Sequence, residues 1–192
     1  MVSRAKWLGW VAIAALSVAG VQRARASMIE ALDLAALTET AEEVILARVV
    51  AQDSHYDEHG RIVTDVEMLV EQAEKGSAQQ GKTVIVRRLG GVVNGVGMRI
   101  EGEPSFVSGE RTLLFAQKLA QSSVLRAVGM SQGVLRIVEK NGESWVSSQA
   151  AGAALVRRGV DGSLTKAQSA LAAPRKLSDV LGQIRTLIKA KR

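Results

Sequence analysis

The chain has 192 residues and a formal charge of +6, with 47% hydrophobic but only 3% aromatic residues. Arg4, Lys6, Arg23 and Arg25 fall in the first 26 residues, which hold no acid, and the remainder carries 21 basic against 19 acidic side chains. The basic excess is therefore terminal and argues against a nucleic-acid-binding face. The lack of cysteine excludes disulfides, thiolate metal sites and thiol catalysis.

Arg4 and Lys6 precede an uncharged stretch from Trp7 to Val21, and a small-x-small site follows at Ala24 and Ala26. This order predicts a secretory signal over residues 1–26, cleaved between Ala26 and Ser27. The stretch is shorter than the ~20 apolar residues of a spanning helix. The mature chain is then expected outside the cytoplasm, periplasmic or secreted, with no stable membrane span after cleavage.

Asp33 to Ala41 reads as a short helix capped by Asp33, with Leu34, Leu37 and Ala41 on one face. Val44 to Val50 is a β-branched run suited to a buried strand, and the polar stretch Gln52 to Gly60 reads as a turn. From Ile62 to Val70 the alternation is regular, placing Ile62, Thr64, Val66, Met68 and Val70 on one face. Strands are also predicted at 83–89, 111–119, 124–128, 134–139 and 144–146. Asn94-Gly95 and Asn141-Gly142 are type I′ hairpin signals.

Residues 27–149 are thus expected to form a β-barrel domain and 150–176 a linker, because the latter have no periodicity. Residues 177–192 form a C-terminal amphipathic helix, capped by Ser178. Its stripe of Val180, Leu181, Ile184, Leu187 and Ile188 is expected to pack on the barrel.

Gly76-Ser77-Ala78-Gln79-Gln80-Gly81-Lys82-Thr83 matches the letters of a phosphate-binding loop. That chemistry needs a helix to follow, so that its N-terminus faces the phosphate; here Val84-Ile85-Val86 follows, a strand. His55 and His59, the only histidines, have the spacing of a zinc helix, but Tyr56 stands where the catalytic Glu belongs and no third ligand is evident. They are expected on a solvated hairpin tip. No serine lies in a G-x-S-x-G elbow. Gly90, Gly91, Asn94, Gly95 and Gly97 allow close backbone approach and form the candidate partner loop; as a structural matter they mark bends of a small barrel. No catalytic residue, metal ligand or cofactor is expected.

The segments Ala41 to Arg48, Glu74-Lys75-Gly76, Val84-Ile85-Val86, Phe106-x-x-Gly109-Glu110-Arg111-x-Leu113-Leu114-Phe115 and Val128-Gly129-x-x-x-Gly133 occur in a familiar order. The chain resembles a group of small exported bacterial β-rich proteins associated with matrixin-type metalloproteases. More distantly it resembles the netrin-like domain of tissue inhibitors of metalloproteinases. The resemblance implies a five-stranded Greek-key barrel of OB type and a role in binding, with a metalloprotease as partner. Those inhibitors grip zinc with an N-terminal cysteine, and this chain has none, so no residue here inherits that role.

The leading expectation is therefore an exported, non-enzymatic protein-binding domain that takes no nucleic acid. The alternatives are a hydrolase with a dispersed site using His55 or His59 as base, and an envelope-associated structural protein using its basic C-terminal helix. N-terminal sequencing of the exported protein is expected to begin at Ser27; a full-length chain recovered from the membrane refutes the signal.

Overall fold

The computed structural model describes residues 28–149 and 154–191. The expected signal segment, its expected cleavage site at Ala26 and Ser27, and residues 150–153 lie outside the described residues. In chain order the elements are β1 (Met28–Glu30), α1 (Leu34–Thr40), β2 (Glu43–Tyr56), β3 (Ile62–Lys75), β4 (Thr83–Leu89), β5 (Gly91–Val93) and β6 (Val96–Met98). There follow β7 (Arg111–Lys118), β8 (Leu125–Ala127), a 3-10 turn (Met130–Gly133), β9 (Val134–Lys140) and β10 (Glu143–Ser148). β11 (Ala154–Arg158), β12 (Leu164–Lys166), β13 (Arg175–Lys176) and α2 (Leu177–Ala190) complete the chain. The fold is mainly β with a short N-terminal and an amphipathic C-terminal helix, as the periodicities predict.

The main sheet runs β13-β10-β9-β7-β2-β3-β4-β8, and β8 also pairs with β7. The pairings therefore trace a circuit, β7-β2-β3-β4-β8-β7. Its weakest link is the parallel contact of β4 with β8, a single register pair, Val86 with Leu125. This is the strand order of a partly open Greek-key barrel, extended on one side by β9, β10 and β13. Three register shifts between β2 and β3 bend these 14-residue strands, since a bulge kinks a ladder and increases its twist.

Two apolar clusters flank the sheet. Ile45, Ala47, Val66, Met68, Leu114 and Leu125 belong to one, on the side the circuit encloses. Val44, Leu46, Leu113, Phe115, Leu135 and Val146 belong to the other, with residues of α1 and α2. Side chains alternate faces along a strand, so β2 and β7 contribute to both clusters. That is why Val44–Ala47 and Leu113–Ala116 are continuous apolar runs.

α1 begins as expected, with the Asp33 side chain accepting from Ala36 N at 2.7 Å. α2 lays Val180, Leu181 and Ile184 into the second cluster, and Leu187 and Ile188 pack against it. The first part of the stripe is thus covered by the protein's own sheet, while Leu187 and Ile188 also line a cavity of about 340 Å³ against α1, and the ion pair of Arg185 with Glu74 at 2.8 Å ties the helix to β3. Ser178 does not cap: the cap position is Lys176, and Ser178 sits inside the first turn. No helix among the described residues is long and apolar enough to cross a membrane.

Two segments differ from the sequence reading. β2 continues to Tyr56 through residues expected in a turn, because Gln52–Tyr56 pair with Ile62–Val66 of β3 and the ladder satisfies their backbone. Residues 154–176, expected as part of a linker, carry three short strands. β11 pairs in parallel with β1, β12 pairs with β11, and Leu171 is buried against α2's cluster. The partner of β11 lies more than a hundred residues away, so no local pattern announces it. Ile184 is fully buried, so Ile184→Ala is expected to cost about 2–5 kcal/mol in urea unfolding; an unchanged midpoint would mean that α2 is not docked.

Candidate functional site

The phosphate-loop letters serve an internal carboxylate. Glu43, at the start of β2, is buried. It accepts from Ser77 N at 2.9 Å, Ser77 Oγ at 2.8 Å and Ala78 N at 3.0 Å, with Lys118 Nζ 3.7 Å away. Gly76 has φ +103°, and a Cβ there would meet Glu43 Oε2 at 2.0 Å, so this glycine is required for the close approach. Lys82 immediately precedes β4, with no helix to follow. The cradle of backbone N–H groups is filled by the protein's own acid.

Burial pushes the Glu43 carboxyl up, but the hydrogen bonds from Ser77 and Ala78 and the charge of Lys118 outweigh it and hold the group below its ordinary value of 4.5. A carboxyl with a lowered folded pKa contributes stability that is present above its unfolded pKa and lost as pH falls through the folded value. Glu43→Gln is expected to lose about 1–3 kcal/mol at neutral pH, the cost of imperfectly matched buried donors. Its stability should also fall less steeply than the parent's on acidification below 4.5. Parallel acid-dependence curves would show that this cradle is energetically idle.

The two histidines are not on a helix. His55 is in β2 and His59 in the turn that follows. His55 Nδ1 lies 3.8 Å from Asp53 and its Nε2 3.8 Å from Asp65, while His59 sits exposed beside Glu58. The neighbouring hydroxyls of Ser54 and Thr64 bond to each other at 2.9 Å, and Thr64 Oγ1 donates to Gly90 O at 2.6 Å. Asp57 shapes the turn by accepting from His59 N and Arg61 N.

The glycine-rich candidate loop becomes the β5–β6 hairpin. Asn94 and Gly95 take positive φ, 50° and 81°, as a type I′ turn requires. Gly90 and Gly91 carry the chain across β2 and β3: a Cβ on Gly91 would stand 2.5 Å from Ser54 Oγ and Thr64 Oγ1. Gly97 lies opposite Val92 in the hairpin register. Val92 and Val96 are left exposed.

At this end of the sheet three distant loops converge, the β2–β3 turn, the segment after β6 and the β7–β8 connection. Three adjoining cavities lie among them. One of about 530 Å³ is bounded by His55, Asp57, Arg88, Glu103, Leu119 and Arg126. A second of about 680 Å³ lies between the hairpin base and Gln149, lined by Arg88, Gly91, Met98, Glu103 and Phe106. A third of about 330 Å³ is lined by Arg87, Glu103, Gln117, Arg126 and Met130. Glu103 borders all three, and Arg88 borders the first two.

The charges here are unequally paired. Arg87 is held by Asp65 in a two-pronged pair at 2.6 and 2.7 Å, and Arg61 by Asp57 at 2.7 Å. Among the described residues Arg88 and Arg126 form no ion pair within 4.0 Å. Burial lowers the pKa of Arg88, partly offset by the charge of Glu103. Burial raises the pKa of Glu103, opposed by the Leu89 N–H it accepts at 3.1 Å and by Arg88 and Arg126. The glycine loop and His55 were legible as candidates; Arg88, Glu103 and Arg126 were not, because they become neighbours only through the strand circuit. The pair Arg87-Arg88 was visible in the sequence, but not which of the two would lack a carboxylate.

A search against protein-family models finds no match to the chain. A search of curated proteins finds none either.

Proposed function

We propose that this protein is an exported, non-enzymatic binding domain that engages another extracytoplasmic protein through the loop end of its sheet. The observation that carries the reading is the convergence there of three loops around adjoining cavities, with the half-buried Arg88 left without a carboxylate partner. Buried polar groups in folded proteins are nearly always satisfied, and Arg88 Nε and Gln149 Nε2, which line one cavity, are two of six buried side-chain atoms without a partner among the described residues. In barrels of this strand order, the loops after the first and fourth strands are where ligands are held. Those loops here are the β2–β3 turn and the β7–β8 connection, and both line the 530 Å³ cavity. The exposed Val92 and Val96 of the hairpin add apolar contact area beside it. An extracytoplasmic metalloprotease is the partner class that the resemblance implies.

The hydrolase reading has less support. His55 is flanked by two carboxylates, and the adjacent hydroxyls bond elsewhere. The envelope reading rests on the basic C-terminal helix, and Val180, Leu181 and Ile184 of its apolar stripe are buried within the protein.

The test places a photoreactive amino acid at Asn94 or Glu58 in the exported protein, with Lys166 of β12 as the comparison site. Both loop positions are expected to cross-link to one discrete extracytoplasmic protein, and Lys166 not to. The combined His55→Ala and His59→Ala protein should cross-link as well as the parent. Turnover of a hydrolase substrate that disappears in the double variant would replace this reading with the enzymatic one.

A further inference from the structure

A guanidinium offers five N–H donors in a planar fork. The structure uses one of those on Arg88, in a long 3.4 Å contact from Nη1 to Leu89 O. Arg88 Nε is buried without an acceptor among the described residues. Gln149 lines the same 680 Å³ cavity. Its Oε1 accepts from Ser105 N at 3.2 Å and Ser105 Oγ at 3.3 Å, which turns the amide nitrogen away, and among the described residues Nε2 also has no acceptor. Both unpaired groups on this cavity are donors, so what the cavity lacks is an acceptor.

The shape of the donor narrows the acceptor further. Arg87 and Arg61 are neutralised by Asp65 and Asp57. Arg88 and Arg126 face the carboxylate of Glu103, which lines all three cavities; Arg99 and Glu101 also line the 680 Å³ cavity and Glu58 the 530 Å³ one, so the lining as a whole is close to neutral. A carboxylate carries one charge and matches the guanidinium fork in plane; a phosphate monoester carries close to two. Burial has already lowered the pKa of Arg88, so an added anion would restore the field that its position in the wall removes.

We propose that Arg88, assisted by Arg126, receives a side-chain or terminal carboxylate from an acidic segment of the partner protein in the cavities beneath the β5–β6 hairpin. This rests on the binding-domain reading and adds the chemistry of the partner. Arg88 supplies the fork at the junction of the two larger cavities. Arg126, exposed on β8, supplies the second charge, and Val92 lines the hairpin side, where an apolar residue next to the acid would lie.

The test uses protein purified from cells expressing the full chain, observed by amide NMR. The probes are the peptide acetyl-Ala-Val-Glu-Glu-Ala-amide and its counterpart with both Glu replaced by Gln. Inorganic phosphate and single-stranded oligothymidylate serve as competitors. The Glu peptide is expected to shift the amides of Leu89, Gly90, Glu103 and Gln149, with binding weakened by added salt, and the Gln peptide to leave them in place. Arg88→Gln and Arg126→Gln should each weaken binding roughly tenfold. Arg126 is exposed, so its variant remains informative if Arg88→Gln fails to fold. Equal binding of both peptides, undiminished binding in Arg126→Gln, or stronger binding of phosphate or oligothymidylate at the same amides overturns the proposal. The two readings fail separately. Loop cross-links that persist while the Glu peptide does not bind would refute only the carboxylate site. Peptide binding without loop cross-links to any protein would refute only the binding-domain reading.

Discussion

The β2–β7 ladder is buried on both faces, and every other feature of the molecule is placed by it. Glu43 through Arg48 pair with Arg111 through Ala116, and successive side chains point alternately to the two apolar clusters. One face must be covered by the two helices and the other by the curl of β3, β4 and β8. A shift of one residue in this register would exchange the two sets of side chains. Arg48 and Arg111 then mark where the double burial ends, and there both turn to Glu71 at 2.7 Å. The apolar interior uses Val, Leu, Ile, Ala and Met with only two phenylalanines, Phe106 and Phe115.

Glu43 and Arg88 differ in how completely the chain satisfies them. Both are ionisable groups drawn into the fold. Glu43 is met by two backbone donors, a hydroxyl and a lysine. Its energetic role is complete within the chain, closing the turn from β3 to β4 against the start of β2. Arg88 stands in a cavity wall with its Nε unsatisfied. On the reading proposed above, it is the place for an outside group. The same contrast sorts the sequence motifs. The segment that spells a phosphate loop is spent internally, while the unremarkable Arg87-Arg88 pair divides into a closed ion pair and an open one.

Much of the architecture is legible from period and punctuation. The alternation from Ile62 to Val70 places Ile62, Thr64, Val66, Met68 and Val70 inside, and all five are buried. Asp33 caps α1, and Asn94-Gly95 and Asn141-Gly142 turn as their residue types require. These succeed because the cause is local: a side chain's face, a cap's reach, a residue's tolerance of positive φ. The readings that departed from the structure were those whose cause is remote. Gln52 to Tyr56 looks like a turn until β3 offers its backbone as partner. Residues 154–166 have no apolar rhythm, yet β1 and the ladder within the segment hold them as strands. Ser178 is a good cap by type, but pairing of Arg175 and Lys176 with β10 moves the helix start ahead of it.

Sequence alone determined that the described chain is mainly β, framed by two short amphipathic helices, and that neither the phosphate-loop letters nor the histidine pair has the local setting its chemistry demands. Tertiary structure decided which charges are closed and which are open. Arg88, Glu103 and Arg126 lie on three separate segments, and their meeting depends on β8 returning to lie between β4 and β7. Periodicity reports which way a side chain faces within its own element. It carries no record of which distant side chain will stand opposite, and whether a buried charge finds a partner is a property of that opposition.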